Sequence, residues 1–246
     1  MKLASQPLVA ALYLVPLPIG NREDITLRAL RVLRDADIIA CEDTRTTGQL
    51  LAGYGITPQK MMSLHDHNEE ERAAGIIEMI QEGKSIALCS DAGTPGISDP
   101  GFRVVRAACN AGVTIIPLPG ANAALTALIA SGVETDAFYF AGFPPHKKGR
   151  MTFVKRVVER DCTTILYESP HRITKLIDEL AEIAGTKRNA VIARELTKSY
   201  EEFLRGTLGE LQSVLKTRPP LKGEIVVILQ GIQAYHQSEQ TEGDFE

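Results

Sequence analysis

Short apolar runs alternate with polar, glycine-rich and proline-rich segments through the first 120 residues of the chain. An apolar run bounded by such residues predicts a buried strand, and apolar residues at helical spacing follow most of the loops. The succession of strand, loop and helix recurs five times, which predicts a mostly parallel sheet with helices on its faces. The five predicted strands span residues 11–15, 36–41, 61–64, 86–89 and 113–117.

The helices of this part follow from the same pattern. Residues 25–33 carry an apolar stripe at helical spacing, and Asp24 is placed to act as the N-cap of that helix. Two further helices are predicted at 47–54 and 69–82. A third is predicted to begin near Phe102, and a fourth after the Pro119-Gly120 turn.

The segment that follows the fourth predicted strand, residues 90–101, has the sequence SDAGTPGISDPG. Its glycines permit a positive φ or the close approach of another group, and its prolines fix φ locally. Two carboxylates, Asp91 and Asp99, lie in the same segment. Because open α/β sheets bind ligands at the carboxyl ends of their strands, we expect this loop and the four equivalent loops to line a site at one edge of the sheet.

The second half of the chain predicts another α/β unit. Its strands are predicted at 137–142, 163–167, 189–193, 200–204 and 224–229, with helices at 150–158, 173–183 and 208–215. The resulting domain prediction is a flexible arm (1–10), an N-terminal α/β domain (11–120), a C-terminal α/β domain (121–233) and a disordered, polar and acidic tail (234–246). The predicted fold class is α/β, with two αβα domains and a cleft between them.

Composition is that of a globular protein with a net charge of −4 and no tryptophan. The charge is unevenly distributed. Residues 142–233 contain sixteen Lys and Arg against eleven Asp and Glu, a net of +5, whereas residues 1–120 contain eleven against fourteen, a net of −3. The basic excess is consistent either with a solvated face or with a surface that faces a polyanion.

The four cysteines are scattered and form no C-x-x-C pair, which indicates buried free thiols in a reducing compartment. The apolar segment 8–19 contains two prolines and is too short to cross a bilayer, so it is predicted to be a strand. The predicted location is therefore cytoplasmic, without membrane contact. The pair His65 and His67 has no third ligand at a suitable spacing, so no metal site is predicted.

Three common types of active site are excluded by the motifs. No G-x-G-x-x-G follows the first strand, no Walker A sequence occurs, and no G-x-S-x-G is present. Dinucleotide binding of the Rossmann type, P-loop chemistry and α/β-hydrolase chemistry are thus disfavoured. The remaining candidates are the strand-exit loops LPIGN, EDTR, SDAGTPGISDPG, LPGANAA, YESPHR and RELTK.

Six ordered motifs resemble the tetrapyrrole (corrin/porphyrin) methylase superfamily, and within it the enzymes that methylate a cytidine 2′-oxygen in small-subunit ribosomal RNA. The motifs are LPIGN, EDTR, SDAGTPGISDPG, PLPGANAALTAL, FAGFPP and YESPHR, and the resemblance covers about residues 11–230. Enzymes that act on tetrapyrroles carry Gly-Asp-Pro at Ser90-Asp91-Ala92 and Tyr-Met-Gly at Tyr167-Glu168-Ser169. These departures weigh against a corrin or porphyrin substrate.

The resemblance implies S-adenosylmethionine as methyl donor, bound in a folded pose in the cleft, with 16S rRNA of the 30S subunit as substrate and a homodimer as the assembly. Pro18 would line the donor pocket. The amino-acid part would be surrounded by Asp91, Ala92, Gly93, Ile97 and Ser98. The nucleoside would approach the backbone at Ala121, Ala123 and Ala124, although a run of alanines also fits ordinary helix packing. The adenosine side would be closed by Glu168, Ser169, Ala193 and Pro220.

Methyl transfer to a hydroxyl needs positioning of the two reactants and a group that takes the proton. The candidate catalytic residues are Asp43, Arg45, Glu195 and Lys198. Arg45, together with Arg172, is better suited to hold phosphate than to accept a proton. For each acidic candidate, a helix cap or a surface ion pair is the alternative interpretation.

Two further functions stay open from the sequence. One is a methylase of a tetrapyrrole or another small molecule, and the other is a noncatalytic RNA-binding assembly factor. The basic excess of 142–233 fits RNA and also fits a carboxylated macrocycle. Affinity for S-adenosylmethionine separates the noncatalytic alternative from both enzymes.

Overall fold

The structure is a computed structural model and describes residues 7–232. Part of the predicted arm (1–10) and the whole predicted tail (234–246) lie outside these residues. The chain divides into two compact units, with the boundary between Asn122 and Ala123. Each unit contains one five-stranded sheet.

The sheet of the first unit, predicted to be mostly parallel, is parallel throughout, with strand order β3-β2-β4-β1-β5. Its strands are β1 (Ala11–Leu14), β2 (Ile38–Cys41), β3 (Met61–Ser63), β4 (Ser85–Cys89) and β5 (Ile115–Pro117). The helices that connect them are α1 (Leu27–Asp35), α2 (Thr44–Gly53), α3 (Glu69–Gln81) and α4 (Phe102–Ala111).

Side chains of successive strand residues point to opposite faces of this sheet, as the two-residue period of a strand requires. Tyr13 and Ile39 pack in a core that includes α1 and α2. Leu12 and Ile38 pack in a second core with α3 and α4. The buried strands are therefore apolar on both faces, which explains why they appear in the sequence as continuous apolar runs.

The N-cap predicted for α1 was wrong. Thr26, and not Asp24, caps this helix, and its Oγ1 accepts a hydrogen bond of 3.0 Å from Ala29 N. Asp24 instead ends a short 3-10 turn that begins at Arg22 and is capped by Asn21. The sequence offers two good caps close together, and only the conformation of the intervening turn decides between them.

The second unit has a mixed sheet with strand order β6-β7-β10-β8-β9. The strands β6 and β7 are parallel, whereas the pairs β7–β10, β10–β8 and β8–β9 are antiparallel. These strands are β6 (Phe138–Gly142), β7 (Thr163–Glu168), β8 (Asn189–Arg194), β9 (Glu202–Thr207) and β10 (Ile225–Leu229). The helices are α5 (Ala123–Ile129), α6 (Arg150–Val158), α7 (Ile173–Ala184) and α8 (Leu208–Thr217).

One core of the second unit lies between its sheet and the helices α6, α7 and α8. Leu166, Ile192 and Val227 contribute to this core from three adjacent strands. The helix α5 contacts β7 and β10 and buries Ala124, Ala127 and Leu128. Both units thus bury apolar strand residues under helices, in agreement with the predicted α/β class.

The prediction that the cysteines are buried is confirmed for two of the four thiols. Cys41 and Cys89 are buried neighbours on β2 and β4, but Cys109 is exposed on α4 and Cys162 is partly exposed. The apolar spacing of α4 places Cys109 on the solvent side of the helix. Among residues 7–232, no helix is both long enough and apolar enough to span a membrane.

A buried carboxylate joins α3 to α4. Glu69 is only 3% exposed, and its Oε1 accepts hydrogen bonds from Gly101 N, Arg103 N and Val104 N at 3.0, 2.7 and 3.1 Å. These amides belong to the first turn of α4, where backbone donors have no partner within the helix. Glu69 therefore fixes the start of α4, and with it the end of the loop that follows β4.

The substitution Glu69→Ala is expected to lower the free energy of unfolding by about 2–4 kcal/mol, because it leaves buried amide donors without an acceptor. The matched control is Glu70→Ala, since Glu70 is exposed and forms a surface ion pair with Arg103. This control should cost less than about 1 kcal/mol. Urea denaturation followed by circular dichroism measures both, and equal losses would contradict the capping role of Glu69.

Candidate functional site

The strand order of the first unit places the exit of β4 between the exits of β2 and β1. The chain leaves β1 and β2 toward helices on one face of the sheet and leaves β4 toward α4 on the other face. Such a divergence opens a crevice at the carboxyl edge of an α/β sheet, and ligands bind there. The segment 90–101 lies at this position.

Direct hydrogen bonds hold three of the exit loops together. Leu17 and Gly93 exchange two backbone hydrogen bonds, each 2.9 Å long. Thr94 Oγ1 donates to the carbonyl oxygen of Ala121 at 3.0 Å, which joins the exits of β4 and β5. Gly93 has a φ of +73°, and a Cβ added there would lie 3.4 Å from Ile19. A Cβ at that distance is in ordinary van der Waals contact, so the loop favours glycine at this position for its backbone conformation.

The residues predicted to surround the donor in this loop occupy different positions. Pro18 and Gly93 are buried, whereas Ala92, Ile97 and Ser98 are exposed. Ser98 has a φ of +62°, one of three positive values at non-glycine residues among 7–232. A serine held in this conformation carries backbone strain, and such strain is concentrated at binding and catalytic loops.

Asp91 connects the exit of β4 to the exit of β2. Its Oδ1 accepts a hydrogen bond of 3.1 Å from the backbone N of Asp43. The structure thus brings together two predicted site residues, one from the donor group and one from the catalytic group.

Asp43 serves as the N-cap of α2. Its Oδ1 accepts hydrogen bonds from Arg45 N at 2.8 Å and Thr46 N at 3.4 Å. These bonds lower the pKa of the Asp43 carboxyl below its ordinary value, so the group is a weak proton acceptor at neutral pH. The Arg45 side chain is 90% exposed, and its Nε lies 3.8 Å from Asp43 Oδ1.

A more suitable proton acceptor lies at the far end of the β4 loop. Burial raises the pKa of Asp99 from 3.8 to about 6, and the neighbouring carboxylate of Glu42 adds to the effect. Burial also raises the pKa of Glu42, with further contributions from Asp91 and Asp66. Sequence analysis placed Asp99 in the loop but gave it no role, because its burial and its acidic neighbours are visible only in the fold.

In the second unit, Glu168 is fully buried at the end of β7 and binds cations of the same unit. Its carboxylate lies 3.2 Å from Arg150 Nη1 and 2.9 Å from Arg172 Nη2, and it accepts a hydrogen bond of 2.8 Å from Ser169 N. Arg150 also binds Glu179 at 2.8 Å. Glu168 is therefore an internal anchor of the YESPHR loop, and contact of its carboxylate with a ligand stays a prediction.

Glu195 and Lys198, both predicted to be catalytic, form an ion pair of 3.0 Å. Glu195 has a φ of +50° and also accepts a hydrogen bond of 3.1 Å from Glu224 N. The hydrogen bond from Lys198 is the main cause that lowers the pKa of Glu195. For Lys198, burial alone would lower the pKa, but hydrogen bonds to Glu195 and Glu224 outweigh it and raise the pKa. Neither group is suited to accept a proton near neutral pH.

Two other predicted residues lie at the same edge of the second sheet. Ala193 is buried in β8, directly before Arg194 at the end of that strand. In the sheet, Ile225 of β10 lies between Arg194 of β8 and Glu168 of β7. Pro220 is exposed in the loop that leads into β10. The predicted residues on β7, β8 and the loops beside them are therefore grouped at one edge, whereas Ala123 and Ala124 lie in α5.

The His65-Asp66-His67 segment forms a loop closed by hydrogen bonds. His65 N donates to Asn68 Oδ1 at 2.9 Å, and the Asn68 amide lies 3.2 Å from His65 Nε2. Within the part of the chain that the structure describes, no group of three or more His, Cys, Asp and Glu is arranged to hold a metal ion.

The raised pKa of Asp99 predicts a pH-dependent contribution to stability. Because the folded state holds this proton more tightly than the unfolded state, stability is lost as the pH rises from 3.8 through about 6. Asp99→Asn removes the charge, so the variant should unfold at a higher temperature than the wild type at a pH above about 7, with the gain vanishing near pH 4. Thermal melts across this range measure the difference. The exposed Asp24→Asn is the control, and a gain for Asp99→Asn that does not depend on pH would contradict the assignment.

Comparison with known proteins tests the resemblance. A sequence model of the family described as tetrapyrrole (corrin/porphyrin) methylases matches residues 11–212. A relative from Haemophilus influenzae is 47% identical over 226 residues, which is 91% of this chain and 80% of the relative. A relative from Bacillus subtilis is 47% identical over 89% of this chain and 75% of the relative. Both relatives are called ribosomal RNA small subunit methyltransferase I.

Solved structures agree on the fold. A uroporphyrin-III-C-methyltransferase from Thermus thermophilus matches with a TM-score of 0.61 at 20% identity, over 92% of this chain and 97% of that one. A diphthine synthase matches with a TM-score of 0.65 at 18% identity, over 89% of each chain. At these identities the match concerns the fold alone, and it confirms the predicted fold class. The family match confirms the resemblance carried by the six motifs, and the chain belongs to the tetrapyrrole (corrin/porphyrin) methylase family.

Proposed function

We propose that this chain transfers a methyl group from S-adenosylmethionine to the 2′-oxygen of a cytidine ribose in small-subunit ribosomal RNA. The observation that carries the proposal is the 47% identity, over nine-tenths of the chain, to a relative named as a small-subunit rRNA methyltransferase. A cytoplasmic location, a 30S substrate and a homodimeric assembly belong to the same proposal.

The β4 exit loop fits such a donor. Gly93, with a φ of +73°, sets the conformation of the loop that carries Asp91. Asp91 uses one carboxylate oxygen for Asp43 N, and its other oxygen accepts no hydrogen bond from the described residues. A carboxylate with a free oxygen suits the cationic ammonium of an amino-acid group.

When bound, S-adenosylmethionine supplies an electrophilic methyl group on a positively charged sulfur. The reaction forms a bond from the ribose oxygen to the methyl carbon, breaks the sulfur–carbon bond and releases the hydroxyl proton. In this site Asp99 is the group suited to take that proton, since the pKa of its carboxyl is about 6. The exposed Arg45 is suited to hold a phosphate of the substrate.

The roles of the remaining residues are narrower than those predicted from the sequence. The cap position of Asp43 supports a part in fixing α2 and the backbone amide that Asp91 binds. The ion pair of Glu195 and Lys198 supports a part in holding the RELTK loop in its conformation, with Lys198 keeping its charge. Contacts of Glu168, Ser169, Ala193 and Pro220 with the adenosine group stay predictions.

The proposed reaction is tested by supplying the purified protein with methyl-labelled S-adenosylmethionine and one of three acceptors. These are unmethylated 30S subunits, free 16S transcript and uroporphyrinogen. We expect label on a cytidine 2′-oxygen in 30S subunits, at a higher rate than on free transcript. A protein with a net negative charge attracts free RNA weakly, so recognition depends more on the shape of an assembled particle. Nuclease digestion and mass spectrometry locate the methyl group. Label on the porphyrin precursor, or no affinity for the donor by calorimetry, would refute the proposal.

The charge of Asp91 is tested by Asp91→Asn, which keeps an oxygen for Asp43 N but removes the negative charge. Loss of a charge-assisted hydrogen bond should weaken binding of S-adenosylmethionine about 10- to 100-fold, with binding of 30S subunits unchanged. Calorimetry and filter binding measure the two affinities. Asp24→Asn makes the same change of charge at an exposed turn of the same unit and should alter neither. A larger loss of RNA binding than of donor binding would contradict the role of Asp91.

A further inference from the structure

One edge of the second sheet collects the exits of three strands. The strands β7 and β8 are both antiparallel to β10, so they run in the same direction, and β6 is parallel to β7. The carboxyl ends of β6, β7 and β8 therefore share one edge with the start of β10. We call this the exit edge, and it comprises residues 143–149, 169–172, 195–201 and 218–224.

Most acidic groups at the exit edge and at the adjoining strand ends form ion pairs within the same unit; Glu201 differs, because its Oε2 accepts a hydrogen bond of 2.7 Å from Thr197 N. Glu168 binds Arg150 and Arg172. Both Glu195 and Glu224 lie 3.0 Å from Lys198 Nζ. Glu202, at the start of β9, lies 3.0 Å from Arg218 and 3.5 Å from Arg194. These ion pairs reduce the repulsion that the carboxylates exert on an incoming polyanion.

Other cations at the exit edge are exposed and lack such partners. Lys147 and Lys148 lie in the loop after β6, and Lys222 lies in the loop before β10. No carboxylate of residues 7–232 lies within 4.0 Å of any of these three ammonium groups. Adjacent strands are about 4.8 Å apart, so the three lysines are distributed along one edge that is three strands wide.

Aromatic rings are exposed on the same edge. Phe143, directly after β6, is 52% exposed, and its ring packs edge-on against Tyr167 with the ring centres 5.4 Å apart. Tyr200, in the loop after β8, is 74% exposed. Exposed rings on an edge that also carries lysines are typical of surfaces that bind single-stranded RNA, where phosphates contact the cations and unpaired bases stack on the rings.

The equivalent edge of the first unit has the opposite charge. The exits of β2, β3 and β4 carry Glu42, Asp43, Asp66, Asp91 and Asp99. Arg45 lies beside Asp43 at this edge, but the carboxylates outnumber it, so the edge attracts a cationic methyl donor more strongly than a run of phosphates. The two units therefore offer surfaces for two ligands of opposite charge.

We propose that the exit edge binds the RNA substrate, with Lys147, Lys148 and Lys222 contacting phosphates and with Phe143 and Tyr200 stacking on unpaired bases. The identity of the RNA rests on the proposed function, whereas the binding of RNA to the exit edge does not. None of these five residues is among those predicted to contact the donor.

Charge-reversal variants test the phosphate contacts. Lys148→Glu and Lys222→Glu are each expected to weaken binding of labelled single-stranded oligocytidine about tenfold at low salt. Each should also reduce the slope of log affinity against log salt concentration by about 0.7 for every phosphate that the variant no longer binds. The control is Lys187→Glu, which makes the same change of charge in the exposed loop before β8, at the opposite edge of the sheet. Fluorescence anisotropy from about 50 to 200 mM salt measures affinity and slope.

Aromatic variants test the stacking contacts. Phe143→Ala should weaken oligocytidine binding about tenfold without changing the salt slope, because stacking releases no counterions. Phe138→Ala is the matched control, since Phe138 is 43% exposed at the other end of the same strand. Circular dichroism melts confirm that the variants compared are equally folded. Binding of S-adenosylmethionine should be unchanged in all of them.

The outcomes separate this inference from the proposed function. If the wild type methylates 30S subunits but Lys148→Glu and Lys222→Glu bind oligocytidine like Lys187→Glu, the exit edge is the wrong surface and the function stands. If these variants lose RNA binding while the wild type methylates no RNA, the surface stands and the function is wrong. Equal losses in Lys187→Glu and Lys148→Glu would show a general charge effect and would overturn the inference.

Discussion

The two backbone hydrogen bonds between Leu17 and Gly93 are the contact on which the candidate donor site depends. The parallel sheet brings the ends of β1 and β4 side by side, but the segments that follow these two strands leave toward opposite faces of the sheet. Without a link they would splay apart at the carboxyl edge. Gly93 favours the link because glycine adopts a φ of +73° without the strain that a side chain would add. Glu69 fixes the other end of the same loop through the first turn of α4.

Several charged side chains that look catalytic in the sequence act in the fold as helix caps or as members of ion pairs. Asp43 follows a buried strand at the expected edge, yet its carboxylate caps α2, and Glu195 is held by Lys198 and a backbone amide. Hydrogen bonds to the ionised form lower the pKa of a carboxyl and so weaken it as a base. Asp99 differs because burial among other acids raises its pKa to about 6. The distinction between a cap and a base therefore lies in the partners of each carboxylate and not in its position along the chain.

The sequence predicted most of the fold because continuous apolar runs and glycine-proline loops are local signals. Residues 86–89 and 150–158 illustrate this, since the first run forms all but one residue of β4 and the second coincides with α6. Contacts between distant segments carry no such signal. The choice of Thr26 over Asp24 depends on a turn, and the buried pair of Arg150 with Glu168 joins residues 18 positions apart. Paired charges of this kind look like solvated polar residues in a sequence, although in the fold they are nearly inaccessible to water.

Net charge is a poor guide to the ligands of this chain. The overall value of −4 combines a net of −3 for residues 1–120 with a net of +5 for residues 142–233, and acidic residues elsewhere in the sequence hide the basic excess. A donor that carries a cationic sulfur and a substrate that carries phosphates make opposite electrostatic demands, which a single surface of one sign cannot meet. Placing acids at the strand exits of one unit and uncompensated lysines at those of the other resolves the conflict. The internal ion pairs of the second unit contribute to this separation, because each carboxylate that they neutralise is one that no longer repels RNA.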